Sequence, residues 1–403
     1  MKKIALALVL AAVAVVPAAA KEPPASPLLA LVSDGRFATL EKVDPVTLDQ
    51  REGRVYTLSA RTSLLATSPD HRRVAVGFEN LGRVQAFNVR TLVPVRRPVA
   101  VYGVPAAALW TRSGLVVLTW GYRENGFYAT MNTRLRNVRY HRFAGNAVSV
   151  ARGGDVLAAV LAPQSGIGPA RLGVIDAGGR FHSADLPGIS AGTAAGEAEG
   201  TVRTERPALA LSPDGSRAVV VSSAGTVAEV DLATMHATEH LLAARTLAKS
   251  MEGAVRTAAW VGDTVAVAGV DLAQERATPA GLTLVDATKW AARRVDRAVV
   301  DVAAAGDSFV GYGSTASYEE LELGGDAGLA AQGDGVAAYT AAGAMRFHVF
   351  AGTPVSYLQV VGPYAYTSYL SSTHSSMWSV VDITTGRVLT TTDSRGELQL
   401  LAP

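Results

Sequence analysis

The sequence of 403 residues contains no cysteine. Disulfide bonds, thiolate nucleophiles and cysteine-ligated zinc, iron–sulfur or haem groups are therefore excluded. Charged residues make up only 18% of the chain and histidines number seven, whereas hydrophobic residues make up 49%. This composition is too apolar for a disordered chain and is ample for a large buried core. The sequence shows neither a Walker phosphate loop nor a dinucleotide-binding fingerprint.

The first twenty residues have the pattern of a secretory signal peptide. Lys2 and Lys3 precede an apolar run over residues 4–16, Pro17 breaks that run, and residues 18–20 are small alanines suited to cleavage. The apolar run is too short for a stable membrane anchor, and no cysteine follows it to carry a lipid. We therefore predict a signal peptide at residues 1–20 and a single domain over residues 21–403. The protein is then exported to the periplasm or the medium, without a transmembrane anchor after cleavage.

One sequence pattern recurs along the chain. Residues 208–235 read ALALSPDGSRAVVVSSAGTVAEVDLATM, which is an apolar strand, a Ser-Pro-Asp-Gly turn, a β-branched strand, a glycine turn and an alternating strand. Residues 64–92 repeat this order around Ser68, Pro69 and Asp70, and weaker copies follow at intervals of about 35 to 60 residues. The pattern predicts an all-β propeller of four-stranded blades. Eight repeat units can be counted, and merging one irregular unit would give seven.

The two ends of the chain carry complementary fragments of this repeat. The first copy, which begins at Leu28, supplies a second, third and fourth strand but lacks a first, whereas residues 396–403 form a spare strand after a completed unit. We predict that the C-terminal strand pairs into the N-terminal blade. This pairing would close the ring and remove the exposed strand edges that an open array would leave.

The turn, the β-branched strand and the Val-Asp-Leu-Ala-Thr-Met ending of residues 230–235 resemble YVTN-type and WD40-like propeller repeats of exported bacterial proteins. The resemblance covers almost the whole mature chain and is sharpest at residues 64–92 and 207–241. It implies the fold more than an activity, because propellers host both enzymes and passive platforms.

Three stretches interrupt the repeat, and such insertions are where a rigid scaffold often carries function. Residues 188–206 are rich in Gly and Ala and predict a mobile loop. Residues 241–253 fit a short helical connector packed on the rim, and residues 314–335 are acidic and rich in glycine.

Charge is distributed unevenly along the predicted ring. Residues 82–142 contain ten arginines opposed by Glu124 alone, whereas residues 301–335 contain seven acids and no Lys or Arg. The densest basic patch provides candidate binding residues: Arg134, Arg136, Arg139, Tyr140, His141 and Arg142. Guanidinium and aromatic groups together can hold a polyanion, although an outer strand that needs solvating charges would show the same pattern. Export and a mature net charge near zero argue against nucleic acid as the partner.

A second candidate surface is the aromatic concentration in the last repeat unit. Its members are Tyr357, Tyr364, Tyr366, Tyr369 and Trp378, of which the last four are the candidate binding residues. Aromatic side chains of this kind can form an interface hot spot or a sugar platform. Ordinary packing between blades is the alternative interpretation.

Motifs for catalysis are weak. Residues 188–192 match Gly-x-Ser-x-Gly, but they lack the strand before and the helix after that a nucleophile elbow requires. His236 and His240 fall on a predicted strand, where four residues span about 13 Å. We assign no catalytic residue, no metal ligand and no cofactor, and leave open a metal in the central channel.

These observations favour an exported, non-catalytic and monomeric propeller that serves as a binding or assembly platform for a protein or another envelope ligand. The alternative is a propeller hydrolase, such as a metal-dependent lactonase-like enzyme with its site in the central channel. A sensing or cofactor-dependent role, such as that of a quinoprotein dehydrogenase, is a third interpretation.

Overall fold

Antiparallel strands form almost all of the regular structure. The computed structural model describes residues 26–402 except residues 52, 60, 121–124, 165, 196–201, 243–252, 274–275, 318–331 and 371–375. The predicted signal peptide and residues 243–252 of the predicted helical connector lie outside this part of the chain. A short 3-10 turn at Glu79–Leu81 is the only helical segment within it. The described part of the chain contains no helix with the length and hydropathy required to span a bilayer.

The strands form eight four-stranded sets, which we call blades 1 to 8 in chain order. Blade 1 contains β1 (Leu28–Ser33), β2 (Phe37–Val43) and β3 (Tyr56–Ser59), and blade 2 contains β4 (Thr62–Thr67), β5 (Arg73–Phe78), β6 (Arg83–Asn88) and β7 (Val99–Ala100). Blade 3 contains β8 (Val104–Trp110), β9 (Gly114–Trp120), β10 (Asn125–Asn132) and β11 (Arg139–Ala144). Blade 4 contains β12 (Asn146–Gly153), β13 (Val156–Ala162), β14 (Gly168–Ile175) and β15 (Phe181–Ala195), and β16 (Val202–Arg206) follows it.

The second half of the ring continues this order with one further insertion. Blade 5 contains β17 (Ala208–Leu211), β18 (Arg217–Val221), β19 (Thr226–Asp231) and β20 (His236–Leu241). Blade 6 contains β21 (Gly253–Val261), β22 (Thr264–Ala273), β24 (Leu282–Asp286) and β25 (Ala292–Asp296), with β23 (Arg276–Pro279) inserted. Blade 7 contains β26 (Val299–Ala305), β27 (Ser308–Ser317), β28 (Gln332–Thr340) and β29 (Met345–Val349). Blade 8 contains β30 (Val355–Val361), β31 (Tyr364–Leu370), β32 (Ser376–Asp382) and β33 (Val388–Asp393), and the chain ends with β34 (Glu397–Leu401).

The ring closes as the sequence predicts. Strand β34 pairs antiparallel with β1, from Leu29 opposite Leu401 to Ser33 opposite Glu397, and becomes the missing first strand of blade 1. Two glutamines fix it to its neighbours. The amide of Gln359 in blade 8 both donates to and accepts from the backbone of Leu400, and the amide oxygen of Gln399 accepts the N–H of Leu64 in blade 2 at 2.8 Å. The all-β propeller and its closure by the C-terminal strand are confirmed.

For seven of the eight neighbouring pairs of blades, the first strands contact each other, whereas β8 of blade 3 contacts β13, the second strand of blade 4. These inner strands surround the central channel of the propeller. Successive antiparallel strands then place the connections on two faces. The lower face carries the turns from first to second and from third to fourth strands, and the upper face carries the other connections. Between blades, small and branched side chains pack into separate buried clusters.

A collar of paired strands rises above the upper face over blades 4 to 7. It consists of β16, β23 and the upper ends of β15, β21, β22, β27 and β28. The collar fuses three blades into one 14-stranded sheet, so the ring contains six hydrogen-bonded sheets, of which five are separate four-stranded blades. The sequence count of eight units did not anticipate this fusion.

The collar also corrects the prediction that residues 188–206 form a mobile loop. In the described part of this stretch, β15 continues to Ala195 and β16 pairs parallel with β21, with Glu205 opposite Ala254. Ile189 and Ala191 are fully buried. Long-range backbone pairing therefore orders a stretch whose side chains alone predict little burial.

The Ser-Pro-Asp turn has the same geometry in blades 2 and 5. In each, the serine hydroxyl donates to the aspartate at 2.5 Å, from Ser68 to Asp70 and from Ser212 to Asp214. The next residue has a left-handed backbone, with φ of 71° at Gly215 and 55° at His71. Glycine suits this conformation best, yet the hydrogen bonds hold His71 in it as well.

This turn predicts a sensitivity to acid. Hydrogen bonds from the Ser212 and Ser216 hydroxyls lower the pKa of Asp214 from 3.8 to about 2. Because the pKa is lower in the folded state, its stabilising contribution is complete above the unfolded value and is lost as the pH falls from about 4 to about 2. We expect the unfolding temperature of Ser212→Ala to fall less between pH 5 and pH 2 than that of the unmodified protein. Circular dichroism measures the unfolding temperature of both proteins at each pH. An identical loss in both proteins would contradict this role for the turn.

Candidate functional site

An open groove of about 520 Å³ lies between blades 2 and 3 on the lower face. We call it the rim groove. Its apolar residues are Pro98, Val99, Leu135 and Val138, and its polar residues are Arg96, Arg97, Arg136 and Asn137. The three arginines are exposed, whereas Leu135 is fully buried. The groove therefore combines an apolar floor with positively charged walls.

The turn between β10 and β11 forms one wall of the groove. The side-chain oxygen of Asn132 accepts the backbone N–H groups of Arg134 and Arg136. Leu135 between them has a left-handed backbone and inserts into the core of blades 2 and 3. Since the backbone is held from inside, the flanking arginine side chains extend into solvent.

Two arginines of blade 2 hold this turn by donating hydrogen bonds to the backbone carbonyls of the turn. Arg96 donates to the Leu135 carbonyl at 2.7 Å, and Arg73 donates to the Thr133 carbonyl. The outer strand β7 has only two residues, and the irregular connection before it contains Pro94 and Pro98, which lack the N–H needed for strand pairing. The outer edge of blade 2 is consequently open where the groove lies.

The described arginines of blades 2 and 3 have no carboxylate partner among the residues that the structure describes. Nine of the ten arginines at residues 82–142 are described, and none forms an ion pair with a described acid. Arginines elsewhere do form such pairs, for example Arg217 with Glu229 and Arg395 with Glu41. The positive charge around the rim groove is therefore not neutralised within the described chain.

Exposed aromatic rings continue the surface from the groove toward the upper face. Tyr140 is 45% exposed and donates its hydroxyl to the Ala100 carbonyl at 3.0 Å. Tyr102 is 60% exposed, with its ring 4.9 Å from that of Tyr140 and stacked on Phe127 at 5.6 Å. Rings held in this way provide rigid contact area at the wet edge of a binding surface.

The structure divides the predicted basic patch between the two sides of β11. Tyr140 contacts blade 2, and Arg142, two residues further on, lies on the same side of the strand. His141 lies on the other side, where it stacks on Tyr128 at 4.5 Å and lies 3.2 Å from the Thr130 hydroxyl. Arg139 alternates with Tyr140 and shares the side of His141. Arg134 and Arg136 lie on either side of Leu135 in the turn. Of the predicted residues, Arg136, Tyr140 and Arg142 face the groove side.

The predicted aromatic surface of blade 8 is partly internal. Tyr366 is fully buried and donates to the Pro45 carbonyl at 2.8 Å, and Trp378 is 4% exposed and donates to the Gly396 carbonyl at 3.1 Å. Tyr364 packs edge-on against Tyr366, and Tyr369 lies against Phe350. Tyr366 and Trp378 therefore hold blade 8 against blade 1, as in the packing interpretation of this cluster.

The other motifs do not converge on a catalytic centre in the described residues. His236 and His240 lie on strand β20, and His240 stacks on Trp290 at 4.2 Å. Ser190 lies within strand β15 rather than at a strand-to-helix turn. No group of three or more His, Asp or Glu side chains in the described ranges is arranged to hold a metal ion.

Sequence reasoning did not single out the second wall of the groove. Arg96 and Arg97 belong to it, although both were counted in the basic stretch, and Tyr102 lies beyond the groove against Tyr140. The signal that could have found them is the Pro94 to Pro98 interval, which interrupts an outer strand and encloses the arginine pair.

Comparisons with known proteins support the fold. The chain is similar in structure to the dihydro-heme d1 dehydrogenase NirN in complex with DHE, at 12% identity and a TM-score of 0.59 over 92% of this chain and 74% of that one. It is similar to apo AztD from Citrobacter koseri, at 11% identity and a TM-score of 0.54 over 93% and 97% of the chains. The designed protein Ika8 matches at 13% identity and a TM-score of 0.51 over 83% and 87%. No family model and no curated protein matches the sequence, so these likenesses show the propeller fold alone.

Proposed function

We propose that this protein is an exported, non-catalytic propeller that binds an anionic protein partner of the cell envelope at the rim groove. The observation that carries the proposal is the set of arginines around an apolar groove without a carboxylate partner among the described residues. The signal-peptide pattern at residues 1–20 supports export.

Charge and shape favour a protein partner with acidic residues. Arginine presents a planar fork that matches a carboxylate in two parallel hydrogen bonds, and Arg97 and Arg136 are exposed on opposite walls of the groove. The floor at Val99 and Val138 offers apolar contact between them. A concentrated positive field also accelerates the encounter with an acidic surface.

The test compares two charge-reversed variants that carry the same change in net charge. The groove variant is Arg96→Glu, Arg97→Glu and Arg136→Glu, and the control is Arg36→Glu, Arg54→Glu and Arg387→Glu, three exposed arginines of blades 1 and 8. Each protein is immobilised, exposed to envelope extract, and washed at rising salt. A partner retained by the unmodified protein and the control should bind the groove variant about tenfold less.

The salt dependence provides a second measurement on the purified partner. Its affinity should fall steeply between about 0.05 and about 0.5 M salt, because surface charges are then screened. Equal retention by both variants, or binding that does not respond to salt, would contradict the proposal.

A further inference from the structure

The upper face of blades 1 to 3 presents large apolar side chains to solvent. Phe37, Leu81 and Trp120 lie in or next to the connection between the second and third strands of blades 1, 2 and 3, which are equivalent places in three consecutive blades. Tyr102 lies in the connection from blade 2 to blade 3. Phe37 and Leu81 are each 56% exposed, and Tyr102 and Trp120 are 60% and 37% exposed. We call these four residues the apolar arc.

Backbone contacts join the arc from blade 1 to blade 2. Phe37 pairs with Ser59 at the end of the outer strand of blade 1. The carbonyl of Arg61, in the connection that follows, accepts the N–H of Glu79 at 2.9 Å. Glu79 begins the 3-10 turn that ends at Leu81. The turns that carry Phe37 and Leu81 are therefore neighbours.

Backbone contacts also join the arc from blade 2 to blade 3. The Gly82 carbonyl accepts the N–H of Val101 at 2.7 Å, and a side chain on Gly82 would lie 3.1 Å from the carbonyl oxygens of Val101 and Gly103. Gly103 in turn packs so closely on the Trp120 carbonyl that no side chain would fit between them. Tyr102 consequently lies between Leu81 and Trp120, and the arc is continuous.

Hydrogen bonds and ring contacts hold the exposed side chains in place. The Asp34 carboxylate accepts the N–H groups of Arg36 and Phe37 at 2.8 and 2.7 Å, which fixes the turn before β2. The Tyr102 ring is stacked on Phe127. The arc therefore presents apolar groups at fixed positions, which lowers the entropy lost when a surface binds them.

Positive charge exceeds negative charge around the arc. Four exposed arginines lie at or beside its turns: Arg36, Arg61, Arg83 and Arg142. None of the four forms an ion pair with a described acid. Asp34 and Glu79 are the acids described in the same turns, and the Asp34 carboxylate already accepts backbone N–H groups.

We propose that the apolar arc binds the surface of a membrane that contains anionic lipids. An exposed apolar patch of this kind marks an interaction surface. Aromatic side chains and leucine bind at the level of the lipid headgroups, and arginines beside them bind the phosphates. The four side chains lie on separate turns at one face of the ring, so a broad surface can contact all of them together. The positive balance of the arc favours an anionic surface over a neutral one.

Vesicle sedimentation tests this surface. The protein used is residues 21–403, so that the apolar run over residues 4–16 cannot itself bind lipid. Vesicles of phosphatidylcholine alone are compared with vesicles that contain about one-third phosphatidylglycerol. We expect the protein to bind the anionic vesicles at least about tenfold more tightly than the neutral ones.

Two matched variants show whether the arc makes the contact. Leu81→Ser combined with Tyr102→Ser should lower the affinity for anionic vesicles by about tenfold or more. The control is Met345→Ser combined with Val388→Ser, which removes two exposed apolar side chains from the lower ends of blades 7 and 8 and should leave the affinity unchanged.

Tryptophan fluorescence locates the contact independently of affinity. Trp120 is exposed, whereas Trp110, Trp260 and Trp378 are buried and Trp290 lies in a lower-face turn of blade 6. Brominated phosphatidylcholine in the anionic vesicles should therefore quench the fluorescence of the unmodified protein. Quenching should be largely lost in Trp120→Phe, in which phenylalanine preserves an aromatic contact.

Four results would overturn the proposal: no binding to anionic vesicles, equal binding to both compositions, undiminished binding of the arc variant, or undiminished quenching in Trp120→Phe. Self-association that depends on Leu81 and Tyr102, without binding to vesicles, would assign the arc to a second copy of the chain instead. Circular dichroism establishes whether the variants are folded. Should the arc variant fail to fold, the two vesicle compositions and the quenching still decide. The rim groove lies on the lower face, so its proposed partner is tested separately.

Discussion

A chain that ends at Gly396 is expected to lose its cooperative unfolding transition. Strand β34 is the first strand of blade 1, and its removal exposes the edge of β1 from Leu29 to Ser33. It also removes Leu398 and Leu400, which are buried with Tyr366 and Trp378 between blades 8 and 1. An unpaired inner edge would promote association with other chains. Calorimetry and light scattering should show a broadened or absent transition and aggregation.

A milder variant separates closure from the loss of chain length. Leu400 is 1% exposed, and Leu400→Ala should lower the free energy of unfolding by about 2 to 5 kcal/mol while the ring remains closed. The exposed Leu241, at 79%, provides the control, since Leu241→Ala should change stability little. A truncated chain that melts cooperatively within a few degrees of the full chain would show that the ring does not depend on β34.

The closure of the ring could be predicted from sequence because it follows from the number of strands in each repeat unit. The fragment at Leu28 lacks one strand and the segment at Gly396 supplies one, and alternation places Leu29 and Leu31 on one side. The Ser-Pro-Asp turns were equally accessible, since their hydrogen bonds join residues two apart. Local chemistry and repeat order therefore gave the all-β architecture.

The collar and the binding surfaces could not be obtained in the same way. Parallel pairing of β16 with β21 joins residues about fifty positions apart, and nothing in the composition of residues 202–206 indicates it. The rim groove joins Arg96 to Leu135 across two blades, and its openness depends on the shortness of β7. Sequence reasoning considered one stretch at a time. It singled out Arg136 and Tyr140 but not the opposite wall of the rim groove.

Replacement of Arg256 is expected to cause the largest loss of stability from a single side chain in the collar. Arg256 is 2% exposed, pairs with Asp271, and donates to the Val270 carbonyl at 2.6 Å. Arg256→Met would leave the Asp271 carboxyl buried without its partner. Removing one member of a buried ion pair costs about 3 to 5 kcal/mol, and denaturant unfolding should show a decrease of this size.

The double variant distinguishes an uncompensated charge from lost packing. Because most of the cost arises from the carboxylate that remains, Arg256→Met combined with Asp271→Asn should be more stable than Arg256→Met alone. Arg346→Met breaks an exposed pair with Asp307 and should have a small effect, since solvent screens that pair. If the double variant were as unstable as Arg256→Met, the packing of the arginine stem, rather than its charge, would hold the collar to blade 6.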